Sequence, residues 1–469
     1  MKSYVKNPYL PSWEYVPDGE PYLFGGRVYV YGSHDRFNGC VYCMGDYVCW
    51  SAPVDDLSDW RYEGVIYRKD QDPHNTDLQG NLYAPDVTVG PDGRYYLYYV
   101  LSNWGVVSVC VSDEPAGKYE FYGYVHYPDG TRLGEGKDDE PQFDPGVLTE
   151  GEVTYLYTGF CGRGDRSRHG AMCTVLGPDM LTAVEKPVFV APGSCYSEGT
   201  GFENHAFFEA PSIRKNGDTY YFIYSSEVCH ELCYATSANP REGFRYGGVI
   251  VSGGDIGISS YKPADACGYY TANNHGSMVK INDDWFIFYH RHTNGTNYSR
   301  QGCFEKIAIN EDGSIAQVEM TSCGGLDPLP GRGEYPAYIC CNLFTDTPVT
   351  YVPWSGFMDD RFPKVTQEGG DGQECLAYIA NMRNSATAGY KYFDCKGISR
   401  VSVTTMGYAR GFVEVRTEYK GDVIGRIPVN YANVWKKNTA DIRIPDGIHA
   451  LYFTYVGDGF LQFAGFELE

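Results

Sequence analysis

The sequence predicts an all-β protein, a five-bladed β-propeller followed by a β-sandwich, and three observations carry that expectation. Aromatic residues make up 16% of the chain, 43 of them Tyr, while 56 Gly and 26 Pro punctuate it every few residues. Tyr suits strands and Gly and Pro make turns, so this composition fits many short strands. Apolar residues at helical spacing are scarce. Most telling, one pattern returns five times before residue 330: a turn with Gly, Asp or Asn, then a strand dense in aromatics.

The copies are Phe24–Tyr31, Pro91–Tyr98, Glu150–Tyr157, Asn216–Tyr224 and Asn282–Tyr289. With Tyr29, Tyr96, Tyr155, Tyr221 and Phe286 as equivalent positions, the intervals are 67, 59, 66 and 65 residues. A period that long, with several strands per copy, fits a propeller blade. Residues 1–330 are therefore expected to form the propeller. After Gly331–Glu334 the pattern stops, and short alternating strands such as Gly397–Val403, Gly411–Val415 and Gly447–Tyr455 predict a β-sandwich over 335–469. A chain of 469 residues also exceeds one ordinary core.

The formal charge of −22 argues against nucleic acid, which requires clustered Lys and Arg. Sixteen Cys raise the question of disulfides, but Met1-Lys2-Ser3-Tyr4 opens no apolar signal segment and no run reaches transmembrane length. A cytoplasmic protein with reduced thiols and no membrane partner is expected. Cys40 and Cys43 form a lone CxxC without a second pair at zinc-finger spacing, so buried free thiols are the expectation there.

Counting back ten to twelve residues from each equivalent aromatic reaches Asp18, Asp86, Asp144, Glu209 and His275. Each copy thus carries an ionisable side chain ahead of its aromatic hairpin, where a blade's innermost strand begins beside the central channel. Asp and His are common in turns, but five in register predict a ring of four carboxyls and an imidazole. Such a ring suits glycosidic bond cleavage. One protonated carboxyl meets the leaving oxygen, and an ionised one activates water across the sugar, roughly 6.5–9.5 Å away in an inverting enzyme. Neighbouring acids raise one another's proton affinity, which keeps one protonated near neutral pH. The competing use is a cation site, with His275 beside a structural calcium ion. No redox cofactor or phosphate loop is called for.

At these residues the chain resembles glycoside hydrolase family 43, five-bladed inverting arabinofuranosidases and β-xylosidases, over roughly residues 5–325. Asn7-Pro8-Tyr9-Leu10 followed by Asp18 resembles the opening segment that carries the general base. Tyr29–Asp35 is similar to the strand after it, and Trp50–Trp60 to the family's S-x-DL-x-W stretch. Tyr83-Ala84-Pro85-Asp86 resembles the segment bearing the acid's modulating Asp, and Phe208-Glu209-Ala210-Pro211 the one bearing the general acid. Asn274-His275-Gly276-Ser277 resembles the fifth-blade His segment, and Tyr289-His290-Arg291 with Arg300 the substrate-facing Arg region.

The resemblance implies Asp18 as base, Asp86 as modulator and Glu209 as acid, with Asp144, His275, Arg291, Arg300 and Trp104 against the sugar. The sequence departs from the family at Asp18-Gly19-Glu20-Pro21, where Glu20 competes with Asp18 for the base; Asp18 fits the spacing better. Ala388–Phe393 and Phe463–Glu469 are similar to a jelly-roll carbohydrate-binding module of family 6, with Tyr390, Tyr392 and Trp435 as candidate sugar platforms or, alternatively, core. The implied activity is exo-release of terminal α-L-arabinofuranosyl or β-D-xylosyl units from plant oligosaccharides. A β-galactofuranosidase or an inactive glycan-binding propeller are the alternatives.

Overall fold

The computed structural model describes residues 4–349, 351–353 and 355–469. Four four-stranded antiparallel sheets and one three-stranded sheet follow one another along the chain. Blade 1 holds β1 (Glu20–Phe24), β2 (Arg27–Tyr31), β3 (Tyr47–Pro53) and β4 (Arg61–Tyr67). Blade 2 holds β5 (Leu82–Val89), β6 (Tyr95–Leu101), β7 (Val107–Ser112) and β8 (Glu120–Tyr124). Blade 3 comprises β9 (Gly146–Glu150), β10 (Val153–Thr158), β11 (Gly170–Leu176) and β12 (Val188–Pro192). Blade 4 comprises β13 (Phe207–Asn216), β14 (Thr219–Ser226), β15 (Glu231–Ser237) and β16 (Arg245–Ser252). Blade 5 comprises β17 (Met278–Ile281), β18 (Asp284–His292) and β19 (Arg300–Ile307). The architecture is the expected five-bladed propeller.

Each repeated turn closes the first hairpin of its blade. Gly25 and Gly26, at φ 54° and 78°, join β1 to β2. Two left-handed residues in a two-residue loop match the twist of the flanking strands. Asn282 takes the same left-handed region (φ 55°) in blade 5, as a short amide side chain can.

The aromatics that marked each copy fill the seams between blades. Five of the apolar clusters sit one per seam, from the blade 1–2 seam with Tyr47, Tyr67 and Tyr99 round to the blade 5–1 seam with Val28, Phe286 and Phe304. Tyr is favoured over Phe because its hydroxyl reaches across to the next blade. Tyr31 donates to Pro115 O (2.6 Å), Tyr98 to Met180 O (2.7 Å), Tyr157 to Pro240 O (2.5 Å) and Tyr221 to Gly313 O (3.0 Å). A ring that buries apolar area and satisfies a backbone carbonyl does two jobs with one side chain.

The ring of blades closes by a bridge between Gly19 and Gly276. Buried Asn7 fastens the N-terminal segment to blade 5: its Nδ2 donates to Phe304 O (2.8 Å) and its Oδ1 accepts from Phe304 N (3.1 Å).

Beyond residue 328 two sheets face each other as a sandwich. One runs Thr387–Cys395, Gly447–Gly459, Ala409–Arg416, Gly425–Val429; the other runs Lys364–Gln367, Ala377–Met382, Leu461–Leu468, Ile398–Gly407, Ala432–Ile444. Its core includes Tyr269 and Tyr270 from the propeller side, so the two units share buried surface. Tyr390 is fully buried in that core and donates to Ala337 O (2.9 Å), which removes it as a sugar platform. Tyr392 is engaged by Glu319, and Trp435 leans on Tyr378 and donates to Glu368.

Candidate active site

A cavity of about 640 Å³ opens at one end of the propeller, within the size range of sugar-sized ligand sites. Asp18 from blade 1, Asp144 from blade 3, Glu209 from blade 4 and His275 from blade 5 all line it, together with Arg300. Asp18 (φ 58°), Asp144 (φ 44°) and Ala210 (φ 63°) sit in the left-handed region. For Ala this is strained backbone, of the kind that persists where surrounding structure fixes a side chain's aim. Here it turns Glu209 and the two Asp toward one space.

Asp86 is not among them. Strand pairing gives the reason. Asp86 pairs with Tyr98, as Glu20 pairs with Tyr31, Gly146 with Tyr157 and Ser212 with Ile223. Asp86 therefore belongs with Glu20, Ser212 and Ser277, one level deeper in the channel. Both Ala-Pro strands carry a register shift, between Tyr83 and Asp86 and between Glu209 and Ser212. A bulge adds one residue, so counting back through it misses the level. The blade 2 counterpart of Glu209 is Tyr83, which does line the cavity.

The deeper level is a polar network. Asp86 accepts from Tyr22 Oη, Val87 N and Val147 N, each at 2.7 Å, tying blades 1, 2 and 3. Glu20 takes Arg214 Nη2 at 2.6 Å and Ser212 Oγ at 3.1 Å, and Ser212 Oγ reaches Ser277 Oγ at 2.8 Å. Glu20 thus faces away from the cavity, which leaves Asp18 as the blade 1 carboxylate there. Burial, joined by the Asp86 charge, pushes the Glu20 carboxyl up to about 8.

Two further expectations change. Arg291 points to the opposite face of β18 from His290, as alternation along a strand requires. Its guanidinium donates to Cys340 O (2.5 Å), Tyr338 O (2.6 Å) and Gln301 Oε1 (2.9 Å), where propeller meets sandwich. Trp104 stacks on His74 (3.7 Å between ring centres) and donates to Glu135, outside the cavity.

Arg300, 1% exposed, organises the blade 1 end. It donates to Asp18 Oδ1 at 2.9 Å and grips Asp35 through Nε (2.8 Å) and Nη2 (3.0 Å). Such a two-point grip fixes the guanidinium plane. His290 Nδ1 lies 3.3 Å from Asp18 Oδ1. Burial alone raises the Asp18 carboxyl, but Arg300, His290 and His275 outweigh it and hold Asp18 well below the usual carboxylate range.

Glu209 goes the other way: burial first, then the Asp18 charge, push it up to about 8 against Arg300 and a hydrogen bond with Asn273. Asp144 is also raised, by burial and then by Glu209 and Asp18, and its Oδ2 accepts from Ala210 N at 3.3 Å. His275 Nδ1 is 3.7 Å from Asp144 and 4.0 Å from Asp18, and burial lowers it to about 4. The cavity therefore holds Asp18 low, Glu209 and Asp144 raised, and the His275 imidazole lowered.

Tyr83, Phe143, Phe160 and Phe208 form a continuous aromatic wall, with successive ring centres 5.8, 5.2 and 5.1 Å apart. Such faces stack on the apolar side of a sugar ring. Asp35, His290, Asn273 and this wall had no assigned role in the sequence; alternation in β18 was the one signal that singled out His290.

Among the described residues, His205, Glu231 and Cys233 in blade 4 form a group of three side chains spaced closely enough to hold a metal ion, and neither Cys40 nor Cys43 belongs to it. At His275, Nε2 stands 4.0 Å from Glu20 Oε1, a buried oxygen without a hydrogen-bond partner among the described residues.

The family model described as glycosyl hydrolases family 43 matches residues 16–315. A Thermoclostridium stercorarium protein named xylosidase/arabinosidase is 68% identical over 100% of this chain and 99% of its own length. Among solved structures, a Bacillus subtilis arabinoxylan arabinofuranohydrolase, in complex with cellotetraose, aligns at TM-score 0.52 and 20% identity, covering 98% of this chain and 97% of that one. A β-xylosidase/α-arabinofuranosidase from a compost metagenome, in complex with xylotriose and in a calcium-free form, aligns at TM-score 0.52 and 24% identity over 68% and 98% of the two chains. These two likenesses bear on the fold.

Proposed function

The chain belongs to glycosyl hydrolases family 43, and from that premise we propose that it releases terminal α-L-arabinofuranosyl or β-D-xylosyl units from oligosaccharides with inversion. The observation that carries this reading is that Asp18 and Glu209, from different blades, line one cavity, with Arg300 holding Asp18 low and burial raising Glu209. Glu209 gives its proton to the glycosidic oxygen as the bond to the anomeric carbon breaks. Water attacks that carbon from the other face and passes a proton to Asp18. Exchange with solvent then restores both groups. Asp144, whose Oδ2 accepts from Ala210 N beside Glu209, is the carboxyl that interacts with the acid. Arg300 holds Asp18 ionised and in place.

The test is hydrolysis of nitrophenyl α-L-arabinofuranoside and β-D-xyloside followed by proton NMR. Pentose should appear first as the anomer opposite to the substrate's; the same anomer, or no pentose, sinks the proposal.

Asp144→Asn is expected to lower kcat/KM about 100-fold or more, because the acid loses the carboxyl that interacts with it and is anchored beside it on Ala210 N. Asp86→Asn should act on stability instead, costing about 1–3 kcal/mol in chemical denaturation through its buried hydrogen bonds, with kcat/KM within a few-fold. The reverse pattern would return the modulating role to Asp86.

A calcium ion near His275 finds two donors, His275 Nε2 and Glu20 Oε1, spaced so that one ion can touch both, with water supplying the rest of its oxygen shell. Such an ion binds only the folded chain and stabilises it. Removing it with a chelator should lower Tm and calcium should restore it; an unchanged Tm and no calcium by elemental analysis would dismiss the site.

A further inference from the structure

Residues 351–353 belong to the C-terminal unit, in the segment between Asn342–Phe344 and Lys364–Gln367 and more than 40 residues past the last propeller strand, yet they line the catalytic cavity beside the five blades. The propeller holds them there by backbone and side-chain contacts. Tyr351 bridges Thr271 and Val352 N donates to Thr271 O (2.8 Å). Tyr351 Oη donates to Val228 O (2.9 Å), and Asn297 Nδ2 reaches Pro353 O (3.5 Å). Further along, Asn297 N donates to Gly356 O (3.1 Å) and Met358 N to Gly295 O (2.6 Å). The strap is thus stitched to the loop between β18 and β19, whose far end carries Arg300.

We infer that this strap completes a second sugar subsite, on the leaving-group side of the scissile bond, and that Tyr351 determines how well a saccharide leaving group is accepted. This rests on the hydrolase reading above. The side follows from position. Glu209 must stand by the leaving oxygen, and its neighbours lead to the strap: it bonds Asn273, two residues from the Thr271 that pairs with Tyr351. Cys229, which feels the Glu209 charge, adjoins the Val228 carbonyl that Tyr351 grips. Asp18 is engaged elsewhere, with Arg300 and His290.

The surfaces suit a pyranose or furanose ring. Tyr351 is 44% exposed, an aromatic face held by its hydroxyl rather than sunk into a core. Asn297, 6% exposed and in the cavity lining, has an Oδ1 without a partner among the described residues, an acceptor open to a sugar hydroxyl. Arg163 and Glu227, 3.7 Å apart at the same wall, add a polar rim. Apolar face plus a few fixed polar atoms is the pattern of a ring-binding site. The sandwich unit then acts in substrate choice without needing a sugar site of its own.

The experiment compares two substrates with the same terminal pentose: an unmodified pentose disaccharide, whose second ring would meet Tyr351, and the glycosyl fluoride, whose leaving group is one atom. The readout is the ratio of their kcat/KM values, which is independent of the folded fraction. In Tyr351→Ala the disaccharide-to-fluoride ratio should fall about tenfold or more, mostly through KM, the scale of a lost contact in a binding pocket. Tyr351→Phe, which keeps the ring, should retain most of the ratio. A ratio unchanged in Tyr351→Ala, whether both activities fall together or neither falls, overturns the subsite while leaving the hydrolase reading intact. Wild-type protein inactive on both substrates would instead remove the hydrolase reading, and the subsite with it.

Discussion

Asp18→Asn should lower kcat/KM by about 10²–10⁴-fold, the range for loss of general acid–base catalysis, and should do so alike for oligosaccharides, nitrophenyl glycosides and glycosyl fluorides. Every one of those substrates needs an activated water, whatever its leaving group. The neutral amide keeps the size of the carboxylate and the Arg300 contact at its oxygen, so the fold should survive. It cannot take a proton. Wild-type Asp18 is held well below the usual carboxylate range once Arg300, His290 and His275 outweigh burial, so the base stays ionised and activity should persist as pH drops to the ordinary carboxylate region. The measurement is kcat/KM for the three substrate types from pH 4 to 9. An Asn variant retaining more than a tenth of wild-type activity on the fluoride would place the base elsewhere.

The ring of ionisable groups was legible in the sequence because propeller blades repeat: a period of about 65 residues places equivalent positions around one axis. Four of the five counted residues reach the cavity. The fifth, Asp86, was misplaced by the Ala-Pro bulge, a one-residue insertion that a fixed count cannot register and strand pairing reveals at once. Arg291 failed for a different reason that the sequence did contain: two-residue alternation sends His290 and Arg291 to opposite faces of β18. Tyr390 is aromatic in a strand, and nothing in its local pattern separates a sugar platform from a core ring; only the packing of the second sheet decides it. Asp35 and Tyr351 were invisible, since each matters through a partner more than 100 residues away, Arg300 in one case and Val228 in the other.

The same burial serves opposite ends at two carboxyls. Asp18 and Glu209 both leave water for the cavity, and desolvation alone would neutralise both. What separates them is the position of Arg300, which donates directly to Asp18 at 2.9 Å and makes no hydrogen bond to Glu209. Once Asp18 is ionised, its charge raises Glu209 and Asp144 further. Asp35 fixes Arg300 from behind, so a residue that lies outside the cavity lining sets which carboxyl becomes base and which acid.

Glu209→Gln should show the opposite substrate dependence to Asp18→Asn. Loss of the proton donor should cost about 10²–10⁴-fold on an unactivated pentose disaccharide, where the departing alkoxide needs that proton. The cost should shrink to a few-fold on the glycosyl fluoride, since fluoride departs without protonation by a carboxylic acid. The pH profile gives a second, independent reading. Glu209 is raised to about 8 by burial and then the Asp18 charge, so the wild-type acid is protonated below that value and loses its proton above it. Disaccharide kcat/KM should therefore hold through neutral pH and fall tenfold per unit beyond about 8. On the fluoride that alkaline limb should be weak in the wild type and absent in the variant. Equal losses on both substrates, or an alkaline limb that survives in Glu209→Gln on the disaccharide, would show that the proton comes from another group, and Asp144, itself raised and lining the same cavity, would be the one to replace next.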